Sequence, residues 1–151
     1  MRWPFKKRFI PHPCFAVGAY RINTSIDGLP GLSPASLDTL TALDLDLTFK
    51  GEQVWHAPQA EFMDLQWETM LGTVNNEIYK VSIQYTGPSD KAGRAYGRLL
   101  PFLTRLYGNS KSMTAWDASD GNVVMLCGNI GPESIISIAI TSARIRQFGL
   151  A

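Results

Sequence analysis

The sequence predicts an α+β fold: a mostly antiparallel sheet with one long helix, from the C-terminal half, packed on a face of it. Three observations carry that prediction. From Glu77 to Thr86, Tyr79, Val81, Ile83 and Tyr85 alternate with Lys80, Ser82 and Gln84, the period of a strand with one buried face, and Ile78 is the apolar exception. After Gly87-Pro88, residues Ala92, Ala95, Tyr96, Leu99, Phe102, Leu103, Leu106 and Tyr107 recur at helical spacing up to Gly108-Asn109. Beyond that helix, Asp120-Gly121 marks a hairpin, and Ser134 to Ser142 is too rich in isoleucine for a helix surface.

In chain order, Met1 to Pro13 reads as a basic, aromatic tail ahead of a single domain over residues 14–151. Phe15 to Ile22 reads as a first strand, and the turn residues of Asn23 to Leu32 follow it. Ser33-Pro34 has the form of a cap followed by a first-turn proline, which predicts a short helix from Pro34 to about Ala42. Leu43, Leu45, Leu47 and Phe49 then alternate with Asp44, Asp46, Thr48 and Lys50 as a strand. A short strand around Val54 and Trp55 ends at His56-Ala-Pro58, and another begins at Met63, with Met63, Leu65, Trp67 and Leu71 on one face. Asn75-Asn76 suits the left-handed turn of a hairpin into Glu77. Met113 to Ala118, Asn122 to Cys127 and the central strand Ser134 to Ser142 complete an order of roughly β-(short α)-ββ-ββ-α-βββ.

Pro101 lies inside the helix, four residues after Gly97, so a bent helix is expected, with two shorter helices as the alternative. On that helix Lys91, Arg94, Arg98 and Arg105 fall within a wedge of roughly 60 degrees, a basic ridge. Arg94 and Arg98 are like charges four apart with no acidic residue at i+4 to offset them.

The formal charge of +1 hides a segregation. Residues 1–13 carry four basic and no acidic side chains, residues 14–77 carry nine acidic side chains against Arg21 and Lys50, and residues 78–151 carry eight basic against four acidic. An internal match between the halves explains this with the fewest assumptions; a partner with an acidic surface is the alternative. The tail lacks the continuous apolar run of a signal peptide, and no run of about 18 apolar residues occurs, so a cytoplasmic protein is expected. Cys14 and Cys127 fit no zinc or redox spacing and read as buried free thiols.

Chemistry-bearing motifs are few. There is no Walker sequence, no G-x-G-x-x-G after a strand and no G-x-S-x-G elbow. His12 and Cys14, two apart in a proline-flanked extended segment, are not assigned as a nucleophilic pair, and His56 beside Trp55 reads as a strand-end residue. Asp44 and Asp46 would hold a cation only if another ligand converged, and Asp117 to Asn122 lacks the closing glutamate of a calcium loop. No metal, cofactor or catalytic residue is therefore assigned. Nucleic acid is disfavoured by the balanced charge. The expectation is a non-enzymatic binding protein, adaptor-like or an immunity-type inhibitor, that engages a protein partner through the open sheet face or through Lys91, Arg94, Arg98 and Arg105. Two alternatives stand beside it: a small enzyme with an unrecognised pocket, and a peripheral protein held weakly on an anionic membrane by Trp3, Phe5, Lys6, Lys7 and Arg8.

Overall fold

A computed structural model describes residues 9–35, 52–111 and 114–144. Its strands are β1 (Ser33–Pro34), β2 (Glu52–Phe62), β3 (Leu65–Val74), β4 (Glu77–Pro88), β5 (Ala115–Asp117), β6 (Gly121–Ile130) and β7 (Glu133–Ser142), and helix α1 spans Ser89–Tyr107. They form one seven-stranded sheet in the order β1-β2-β3-β4-β7-β6-β5, antiparallel at every described pairing. The α+β architecture read from the sequence is the observed one, and β7 is central, between β4 and β6.

α1 is continuous through Pro101. Gly97 and Pro101 both lie on its exposed side, so water can take the carbonyl that the proline leaves without a donor. Its buried residues Ala92, Ala95, Leu99, Leu103 and Tyr107 face Ile136, Ile138, Ile140, Val81 and Ile83 of the sheet in one core. Leu99 and Leu103 are wholly buried, and each contributes roughly 1.5–3 kcal/mol by leaving water. The helix stops at Gly108, whose positive φ of 78° and N–H bond to the Thr104 carbonyl (2.8 Å) close the last turn.

The rest of this layer comes from the N-terminal segment. Phe15 to Ile22 is not a strand: Val17 and Tyr20 exchange both backbone hydrogen bonds across Gly18, which holds φ 58°, so the segment folds back as a tight turn. Its alternating apolar residues serve packing instead, for Val17, Tyr20 and Ile22 join the core and Phe15 stacks on Phe62 at 5.3 Å and meets Phe102 edge-on at 5.4 Å. Residues 23–26 then pair with the start of β4 through Asn23 to Ile78 and Ile26 to Asn76 bonds.

Other boundaries differ from the sequence reading for physical reasons. Ser33–Pro34 is a two-residue strand rather than the start of a helix; the remainder of the expected helix, and the expected strand over Leu43 to Phe49 with Asp44 and Asp46, lie outside the described residues. β2 does not end at Pro58, because its register with β3 shifts between Ala57 and Ala60 and a bulge absorbs the missing N–H. Met63 and Asp64 take φ of 53° and 60° as the turn between β2 and β3, so Met63 does not belong to a strand. Asn75 and Asn76 do the same between β3 and β4, as expected.

Ile78 ceases to be an exception once β4 is seen to bulge. Gly72 pairs with Lys80 and Thr73 with Ile78, leaving Tyr79 as the extra residue. Ile78 therefore enters the core, while Tyr79 turns to the opposite face, away from Val81 and Ile83, with its ring over Gly72 and its hydroxyl donating to Glu52. The Asp120-Gly121 hairpin forms, but Gly121 does not supply a left-handed turn. It opens β6 against the Thr141 carbonyl oxygen, where a Cβ has no room.

Candidate binding surfaces

The basic ridge is present and exposed along α1. Arg94 pairs with Asp90 at 3.7 Å, four residues before it, and Arg98 pairs with Asp64 of the β2–β3 turn at 3.1 Å. The like-charge penalty anticipated between Arg94 and Arg98 is thus offset from two directions. Among the described residues Lys91 and Arg105 have no ion pair. Arg98 to Asp64 and Arg144 to Glu77 each join the basic C-terminal half to the acidic N-terminal half, the internal match inferred from the charge segregation.

The sheet face opposite α1 has two parts. At one end Val54, Gly72, Val74 and Tyr79 are buried outside the main core. Burial first, and then the Glu52 carboxylate, raise the Tyr79 hydroxyl above its ordinary pKa, so it is a donor held neutral. Toward β6 the character changes. Cross-strand pairs Met70 to Ser82, Ser82 to Ala139 and Ala139 to Val124 make a row of small and apolar side chains, and Leu126 to Ser137 to Gln84 make the next. Leu126 is 59 % exposed there.

On the helix side a groove of about 330 Å³ separates the first turns of α1 from the ends of β6 and β7. Ser89, Gly93 and Tyr96 form one wall and Cys127, Asn129 and Ser134 the other. The Ser134 hydroxyl bridges Ser89 Oγ (2.9 Å) and Asn129 Oδ1 (2.7 Å), and Ser89 donates to the Pro132 carbonyl at 3.1 Å. No histidine, carboxylate or basic residue lines the groove among the described residues. Cys127 is a free thiol but an exposed one, contrary to expectation, because α1 leaves the core-facing side of β6 uncovered past Met125. Partial burial raises its pKa, so it is not a poised thiolate.

Cys14 does meet an aspartate, the arrangement that would mark a nucleophile, yet here it is structural. Its N–H donates to Asp120 Oδ1 at 2.7 Å and its side chain is wholly buried. Burial and the Asp120 carboxylate both raise the thiol's pKa. Around it Tyr107 donates to the Pro13 carbonyl (3.0 Å) and accepts from the Phe15 N–H (2.9 Å), while His12 N–H bonds to the Leu106 carbonyl. These contacts clasp the N-terminal segment to the end of α1; nothing in the sequence pattern announced them, since they join residues about a hundred positions apart. His56 sits on β2 opposite Met70, far in register from Cys14's partners.

Trp3, Phe5, Lys6, Lys7 and Arg8 lie outside the described residues. Among those described, no helix is long and apolar enough to cross a membrane, and no three metal-ligating side chains gather. Comparison with family models, curated proteins and solved structures finds no match to this chain.

Proposed function

We propose that this chain is a non-enzymatic binding protein, an adaptor or an inhibitor of another protein, and that its partner lies on the part of the sheet opposite α1 that runs from Met70 to Leu126. The observation that carries the reading is Leu126, 59 % exposed beside rows of small uncharged side chains. A strand face meant only for water ordinarily carries lysine, glutamate and threonine across its middle. Ser82, Ser137 and Ala139 instead leave a flat tract on which a partner's side chains can lie, with Lys80, Glu68 and Gln84 at its rim. Tight packing over such a tract would desolvate little charge, which favours association.

A second reading rests on Lys91 and Arg105, cations without an ion pair among the described residues. They extend the ridge toward an acidic protein surface, whereas Arg94 and Arg98 already hold Asp90 and Asp64. Affinity capture with three proteins separates the two readings: wild type, the face variant Ser82→Lys with Leu126→Lys, and the ridge variant Lys91→Glu with Arg105→Glu. A partner retained by the ridge variant and lost by the face variant supports the first reading. The reverse pattern supports the second, and equal recovery by all three removes both.

A further inference from the structure

The two lateral edges of the sheet are built differently. At the first, Pro34 occupies half of β1, and β2 carries Pro58 within a bulge packed against Gly31. Missing N–H groups and a bulge are devices that stop another strand from adding. At the second, among the described residues, β5 pairs with β6 only at Asn122, Val123 and Val124, and two further bonds flank that pairing, Met125 N–H to the Thr114 carbonyl and Ala118 N–H to the Gly121 carbonyl.

The direction of the remaining peptide groups follows from those bonds. Met125 N–H and the Gly121 carbonyl, which accepts from Ala118, both point toward the β5 side. Peptide groups alternate along a strand and β6 pairs with β7 without a register shift, so Cys127 and Asn129 present their N–H and C=O to the same open side. Among the described residues nothing pairs with them there. This stretch holds no proline, no lysine and no bulge.

We infer that this free stretch of β6 is a two-fold interface at which a second copy of the chain adds its own β6 antiparallel, with Gly128 on the axis. The stretch is complementary to itself. Placing Cys127 opposite the partner's Asn129, and Asn129 opposite the partner's Cys127, satisfies all four donors and acceptors at once. Gly128 directs its own peptide groups to β7, so the two copies of Gly128 face each other as a pair without hydrogen bonds between them, with Cα atoms about 4.5 Å apart. A Cβ at Gly128 meets nothing within 4 Å in the monomer, so a side chain substituted there fits the monomer without a clash. Leu126 flanks the axis and loses part of its exposure in the pair. Because the other edge is guarded, addition stops at two copies and does not continue into a filament.

The inference does not rest on the partner-binding reading, although both involve Leu126, and substitutions at Gly128 test it without touching Ser82 or the ridge. Sedimentation equilibrium from micromolar to millimolar protein should show wild-type mass rising toward twice the monomer. Gly128→Lys, which sets like charges face to face across the axis, should hold the monomer mass throughout while keeping the wild-type circular dichroism and, at concentrations where the wild type is monomeric, its melting curve. Gly128→Cys in a Cys127→Ser background should form an intermolecular disulfide under mild oxidation, since the expected Cα separation lies within the roughly 4.4–6.8 Å that a disulfide spans. Ser119→Cys in the same background, exposed but off the axis, should not. A wild type that keeps monomer mass over the whole range overturns the proposal. So does a dimer that Gly128→Lys leaves intact, or cross-linking no faster at position 128 than at 119.

Discussion

The two faces of the sheet differ in what they bury and how. Under α1, Leu99, Leu103, Ile136, Ile138 and Ile140 interlock as one apolar layer, and the Phe15, Phe62 and Phe102 rings extend it. Opposite, burial among the described residues is confined to Val54, Gly72, Val74 and Tyr79 at one end, and the middle is made of Ser82, Ser137 and Ala139. One well-packed layer is enough to hold an antiparallel sheet, so the other face is free to be shaped for a different purpose. Substitutions should therefore read out as stability on one side and as association on the other.

The largest effect should come from the covered face. Leu99→Ala removes a wholly buried side chain between helix and sheet and should cost about 2–5 kcal/mol in urea unfolding. Ala139→Ser, on the next strand face over, should change stability by less than about 0.5 kcal/mol. Comparable losses from the two would mean that the faces are not energetically distinct.

Gly72 probes the buried end of the opposite face. A Cβ there meets the Tyr79 ring at 2.9 Å, and that ring is tied to Glu52 through its hydroxyl. Gly72→Ala should thus cost about 1–3 kcal/mol by overpacking, and Gly72→Ala combined with Tyr79→Ala should cost less than the two singles added. Additive losses would show that the ring moves aside freely.

These two sites also show what a sequence discloses. The core face of α1 was legible because helical spacing is local, and so was the Asn75-Asn76 turn, where two residues tolerant of positive φ stand together. Tyr79 was not. Strict alternation placed it with Val81 and Ile83, and only pairing against Gly72 on another strand shows that one extra residue turns it over. Pro58 misled in the same way, ending a strand on paper where a bulge lets β2 continue to Phe62. The ridge could be read from spacing, but Asp64 as a partner for Arg98 could not, because the fold brings them together from 34 positions apart.

The clasp at the rim of the covered face gives an effect of middle size. Tyr107 donates to Pro13 and accepts from Phe15, so Tyr107→Phe should lose about 1–2 kcal/mol, measured by thermal unfolding. Burial, the largest cause, pushes the Tyr107 pKa up to about 12, against about 10 in the unfolded chain. A native pKa above the unfolded one means that the unfolded state releases its proton first as pH rises. The contribution of this group is therefore fully present below about pH 10 and is lost as pH climbs toward 12. The decline between those values should be shallower in Tyr107→Phe than in wild type. An equal slope in the two proteins would assign the alkaline sensitivity elsewhere, with the Tyr79 hydroxyl, raised by burial and by Glu52, as the next candidate.

The smallest effect belongs to the ridge. Arg98 and Asp64 form a 3.1 Å pair, but their side chains are 56 % and 83 % exposed. Water screens such a pair, and fixing two flexible side chains offsets much of the attraction, leaving between zero and about 1 kcal/mol. A double-mutant cycle with Arg98→Ala and Asp64→Ala should give a coupling in that range that shrinks further in high salt. A larger, salt-resistant coupling would mean that the pair orients α1 on the β2–β3 turn, and the ridge would then belong to the stability of the covered face and not to recognition.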